Sequence, residues 1–181
     1  MILTKATARL AATLVMAVAG LAATAQTVVE QSRAAAPREE MFLDMAVTAA
    51  RKSLNDGGAP DGAVIVANGA WKATGVPTAG AAGVHSVGSA VVNAIADLRG
   101  ADAAKCVIYA INRPTAADVA AIASAGIPSV IYVNDADDVV AAGIANADDF
   151  VVKPGEGTVT LVRVANAEAA SIVKNYKKSK K

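Results

Sequence analysis

Residues 59–75 read Ala59-Pro60-Asp61-Gly62-Ala63-Val64-Ile65-Val66-Ala67-Asn68-Gly69-Ala70-Trp71-Lys72-Ala73-Thr74-Gly75. Ala63 to Val66 is a short apolar run of the kind that forms a buried strand. Asn68-Gly69 follows, the pair that favours a two-residue hairpin turn because both of its central positions need positive φ. Trp71 to Thr74 returns as the second strand. The core of the fold therefore opens on a hairpin.

Outward from the hairpin, helix and strand patterns alternate. Before it, Met41 to Leu54 carries Phe42, Met45, Ala46, Ala49 and Ala50 at amphipathic-helix spacing, and Asn55-Asp56-Gly57-Gly58 ends that helix. After it, Gly75 to Gly88 is a long Gly/Ala/Pro loop leading to a helix from Ser89 to Leu98. Cys106 to Ala110 reads as a strand, and Thr115 to Ser124 as a helix closed by Gly126. Ser129 to Val133 is a further strand and Ala136 to Ala142 a short helix. Phe150 to Val152 and Thr158 to Val164 are strand-like, and Asn166 caps a final helix. A hairpin followed by strand–helix units specifies the α/β class: a three-layer α/β/α fold around a mixed central sheet of about five strands.

The N-terminal residues read as a targeting signal. Lys5 and Arg9 precede the apolar stretch Leu10 to Ala22, and Ala23-Thr24-Ala25 supplies a small-x-small cleavage step. The apolar stretch falls short of the roughly 20 strongly apolar residues of a membrane span. An uncleaved N-terminal anchor is the alternative. The expected organisation is a signal peptide over 1–25, a linker over 26–40, the folded domain over 41–164, and a C-terminal helix with a basic tail over 165–181. The expected location is the periplasm or the exterior, with no stable membrane span after cleavage.

Charge and composition exclude several functions. The chain of 181 residues has a formal net charge of +1. Loss of Lys5 and Arg9 on cleavage takes it to about −1. That near-neutral balance, with aromatic residues at 3%, argues against a nucleic-acid partner. The lysines at 174, 177, 178, 180 and 181 read as a solvated tail. Neither a dinucleotide fingerprint nor a Walker loop occurs. The single cysteine, Cys106, lies in an apolar strand and reads as a small core residue. Asn134-Asp135-Ala136-Asp137-Asp138 lacks the Gly and terminal Glu of a calcium loop and reads as the N-cap and first turn of a helix.

The order of these elements and several local words resemble the cytidine deaminase-like superfamily, in its branch of deoxycytidylate, guanine and tRNA adenosine deaminases. The words are Ala49-Ala50-Arg51-Lys52-Ser53-Leu54, Ala59 to Val66, Ala73-Thr74-Gly75, Asn93-Ala94-Ile95, Val107-Ile108-Tyr109, Pro114, and Ala125 to Tyr132. The resemblance extends from about Met41 to Phe150. It implies a zinc-dependent deaminase with His-x-Glu at the start of one helix and Pro-Cys-x-x-Cys at the start of the next. In this register Ser89 stands at the zinc-binding His and Val91 at the proton-shuttling Glu. Thr115 and Asp118 stand at the two cysteines, and Pro77 at the substrate-contacting Asn.

Those replacements remove the family chemistry. A catalytic zinc needs three strong protein ligands and an open position for water. Ser and Thr hydroxyls are weak neutral ligands, and Val91 cannot carry a proton to a leaving amine. The expected cofactor is therefore none, with the family zinc absent and no metal ligands. The expected cleft comprises Pro77, His85, Ser89, Val91, Pro114, Thr115 and Asp118, and His85 is the only imidazole in the chain. The reading is an exported, non-catalytic deaminase-fold protein that serves as a small-molecule-binding or assembly module, as a homodimer or with a related subunit. Two alternatives are an enzyme with altered chemistry in the same cleft and a purely structural envelope protein.

Overall fold

The computed structural model describes residues 27–77, 89–98, 101–151 and 158–179. Six strands form one sheet in the order β1-β6-β5-β4-β2-β3. They are β1 (Thr27–Ser32), β2 (Ala63–Ala67), β3 (Ala70–Gly75), β4 (Cys106–Asn112), β5 (Ser129–Asn134) and β6 (Thr158–Arg163). β2 runs antiparallel to both β3 and β4, while β4, β5, β6 and β1 are mutually parallel. The helices are α1 (Pro37–Asn55), α2 (Ala90–Ala96), α3 (Ala116–Ser124), α4 (Ala136–Ala141) and α5 (Ala167–Ser179). α2 and α3 cover one face, α1, α4 and α5 the other, so the layers stack α/β/α.

Period-two alternation builds both halves of the core from the same strands. Ala63, Ile65, Ile108, Ala110, Val130 and Tyr132 face α2 and α3. Val64, Val66, Tyr109, Ile111, Ile131 and Val133 face the α1 layer, where Phe42 packs on Tyr109 with ring centroids 5.1 Å apart. A sheet buried on both faces has almost continuously apolar strands. The sheet is closely dressed by its helices. At Gly75 a Cβ would collide with the Ala90 carbonyl and the Ala94 amide, so α2 lies against the end of β3 at a distance that only glycine permits. Asn68 and Gly69 both have positive φ, 52° and 71°, as their hairpin turn requires.

The structure departs from the sequence reading in three places. The stretch 26–40, read as a linker, contains β1 and the first turn of α1. Pro37 starts that helix, where its missing N–H costs nothing, and Glu39 accepts a hydrogen bond from the Ala36 N–H at 2.7 Å. β1 brings the sheet to six strands rather than about five. It left no alternating pattern because it is an exposed edge that pairs through its backbone with β6. Phe150, read as a strand, instead ends a 3₁₀ turn over Ala147–Phe150. The signal peptide, His85 and the last two lysines lie outside the described residues. Among the described residues no helix is long and apolar enough to cross a membrane.

Candidate functional site

The parallel strands β4 and β5 end on two asparagines in register, Asn112 and Asn134. Both are buried, and both are satisfied locally. Asn134 Nδ2 donates to the Ile111 carbonyl at 2.8 Å, and Asn112 Nδ2 donates to the Pro60 carbonyl at 2.8 Å and to Asp61 Oδ1 at 3.2 Å. Beyond the carboxyl end of β4 the chain turns through Arg113 and Pro114 into α3. Ligand clefts in layered α/β folds open at such strand ends. A cleft of ≈ 550 Å³ opens here.

Its floor is made where the starts of α2 and α3 meet. Ser89 caps α2, its Oγ accepting from the Val92 N–H at 3.1 Å. Thr115 caps α3 in a reciprocal capping box with Asp118. Thr115 Oγ1 accepts from the Asp118 N–H at 3.2 Å, while the Thr115 N–H and hydroxyl both donate to Asp118 Oδ2 at 2.8 Å. The other carboxylate oxygen, Asp118 Oδ1, accepts a hydrogen bond from the Ser89 hydroxyl. Asp118 is 4% exposed and Val91 3%.

A second carboxyl group, Asp61, lies beside this cluster. Its Oδ2 accepts from the Ala90 N–H at 3.0 Å. Burial pushes its pKa up to about 6; the Ala90 N–H opposes the shift and the charge of Asp118 adds to it. The outer wall carries Arg113, Asn146, Asp149 and Phe150. Arg113 is largely committed: it pairs with Glu30 on β1, approaches Asp135 at 3.9 Å, and lies 5.6 Å from the Phe150 ring centroid. Its Nε is buried without a hydrogen-bond partner.

Of the residues singled out in the sequence, Pro77, Ser89, Val91, Pro114, Thr115 and Asp118 all line this one cleft. His85 lies outside the described residues. Sequence reading did not single out Asp61, Asn112, Arg113 or Phe150. The signal for Asp61 was a charged residue at the mouth of a buried strand; Phe150 left none, because it reaches the cleft only through the chain's return after α4. The acidic run at 135–138 behaves as read. Asp135 caps α4, accepting from the Ala136 N–H at 2.8 Å, and Arg163 bridges Asp135 and Asp138. Cys106 is buried, and burial pushes its thiol pKa up. Among the described residues no group of three or more His, Cys, Asp or Glu side chains converges as metal ligands.

Comparison with known proteins places this architecture. The family model described as the cytidine and deoxycytidylate deaminase zinc-binding region matches residues 37–134, more than half of the chain. A guanine deaminase from Bacillus subtilis is 30% identical, with 77% of this chain and 93% of that one covered and a TM-score of 0.50. A guanine deaminase from Nitrosomonas europaea has the same fold at 19% identity, covering 81% of this chain and 87% of that one with a TM-score of 0.60. So does a tRNA:A34 deaminase, at 20% identity, with 73% and 98% covered and a TM-score of 0.52. Curated protein sequences give no significant match. The chain belongs to the cytidine and deoxycytidylate deaminase family.

Proposed function

We propose that this chain is an exported, non-deaminating member of its family that uses the family cleft as a small-molecule-binding or assembly module. One observation carries the reading. Where the family resemblance places the zinc ligands, the donors are two hydroxyls and one carboxylate, and they are already spent on one another. This set does not fit a catalytic zinc, which needs strong imidazole or thiolate ligands and a vacant position for water. At the proton-shuttle position Val91 offers only carbon. Export is supported by the basic start, the apolar run and the Ala23-Thr24-Ala25 step.

The polarity of the floor suggests the kind of ligand. The hydroxyl protons of Ser89 and Thr115, the Asn112 amide and the oxygens of Asp118 are spent within the floor, whereas the Asp61 carboxylate borders the cleft with lone pairs beyond those that accept from Ala90 and Asn112. A small molecule presenting N–H groups matches that inventory. A second reading, an enzyme with altered chemistry, is favoured by Asp61 alone. A carboxyl poised near neutral pH in a cleft is suited to proton transfer.

Purified protein incubated with cytosine, adenine, guanine and their nucleosides is expected to release no ammonia. It is also expected to carry no stoichiometric zinc after purification in metal-replete medium. Turnover of any of these bases would overturn the reading.

A further inference from the structure

We propose that Ser89, Thr115 and Asp118 form a metal-free clasp that does the mechanical part of an ion's work. It ties the start of α2 to the start of α3 and so sets the floor of the cleft. The proposal rests on the reading that these positions hold no zinc, and deepens it by saying what stands there instead.

The geometry is that of a cross-link rather than of two separate helix caps. Ser89 and Asp118 are 29 residues apart in sequence and meet through a charge-assisted O–H···O⁻ bond. Asp118 is the hub: its two oxygens accept from Ser89 Oγ, Thr115 N and Thr115 Oγ1. No cation neutralises it within salt-bridge distance among the described residues. At 4% exposed it depends on these three donors in place of water. A buried carboxylate that loses one of its donors is left with an unmet acceptor, which costs more than a surface hydrogen bond returns.

α2 needs such a tie. It is seven residues long, too short to be stable by its own hydrogen bonds. Its polar anchors are the Ser89 cap, the Ala90 N–H on Asp61, and Asn93 Nδ2 on the Val76 carbonyl at 2.6 Å. Those hold it to itself and to the β2–β3 side of the domain. The Ser89–Asp118 bond carries the tie across to α3. Asp118 is also suited to the first turn of α3, where the exposed amides favour a negative charge.

The test is a double-mutant cycle on the full folded chain, read by thermal melting in chelator. Ser89→Ala and Asp118→Ala are each expected to lower Tm by about 3–8 °C. Together they should lower it by less than the sum of the single shifts, because the Ser89–Asp118 bond is lost only once while the Val92 cap and the Thr115 bonds are lost separately. Should Asp118→Ala fail to fold, Asp118→Asn keeps the shape, removes the charge and completes the same cycle. In Ser89→Ala, amide hydrogen exchange at Val92 and at Val119 should both accelerate, whereas loss of a simple helix cap would move only Val92. Additive Tm shifts, or acceleration confined to α2, would overturn the clasp while leaving the zinc-free reading intact. A fall in the wild-type Tm on adding chelator would overturn the zinc-free reading instead.

Discussion

The carboxyl groups of Asp61 and Asp118 share the floor of one cleft, and the negative charge of Asp118 helps to hold Asp61 protonated to higher pH than an ordinary aspartate. Burial is the larger cause, and the result is a pKa of about 6. An unfolded aspartate titrates near 3.9. Between those values the folded chain keeps a proton that the unfolded chain has released, so stability falls as pH rises. The contribution is fully present below about pH 4 and lost once pH passes 6, an effect of ~3 kcal/mol at ~1.4 kcal/mol per pH unit. Urea unfolding of wild type and Asp61→Asn between pH 4 and 7 checks this. The wild type should lose that amount relative to the variant across the window, and parallel profiles would refute the assignment.

A zinc site should be restorable at the clasp. Ser89→His, Thr115→Cys and Asp118→Cys together replace two hydroxyls and a carboxylate with one imidazole and two thiolates, a ligand set that leaves zinc one open position. The triple variant is expected to melt below wild type in chelator and to regain stability with one equivalent of zinc, as ligands that fold around an ion do. Zinc titration with a colorimetric chelator gives the stoichiometry. A folded triple variant that takes up no zinc would show that these three positions do not converge as described.

Gly75 should not tolerate a side chain. A Cβ there would meet the backbone of α2 at Ala90 and Ala94, neither of which can rotate away. Gly75→Ala is expected to cost about 1–3 kcal/mol by forcing α2 off the sheet. Chemical denaturation measures it, with exposed Lys72→Ala on the same strand as a control near zero.

Export should leave a mature N-terminus at or near Gln26, because the small-x-small step ends at Ala25. Mass spectrometry of the protein recovered from the periplasm or medium reads this directly. Recovery of the intact chain from the cytosol would rule it out.

Association is expected through the alanine-rich helices α3 and α4. Ala117 and Ala120 on α3 and Ala141 on α4 are small side chains at or near the surface that allow another helix to approach closely. Light scattering should show a dimer, or a related subunit should co-purify. A monomer at high concentration with no partner would count against it.

The apolar run Ala63 to Val66, the Asn68-Gly69 turn and the apolar runs at 106–110 and 129–133 determine the central sheet by themselves. They do so because a strand buried on both faces has no choice but to be apolar throughout. The capping roles of Ser89, Thr115 and Asp118 emerge only from the structure, whereas the cap at Asp135 is legible, since a carboxylate at a helix start satisfies the free amides there. β1 is not: an exposed edge strand is held by backbone bonds to β6, which side-chain patterns do not record. Nor can sequence order show that Asp61 lies against the cluster of Ser89, Thr115 and Asp118, or that Arg113 is committed to Glu30 on the far edge strand. Those contacts exist because β2 runs antiparallel to β4, which sets Asp61 beside the exit of β4, and because β4, β5, β6 and β1 run parallel, which carries Glu30 to the same end of the sheet as Arg113. The pKa of Asp61 and the closed hydrogen bonding of Asp118 follow from that convergence, because burial and neighbouring charge are properties of the assembled cleft rather than of either residue.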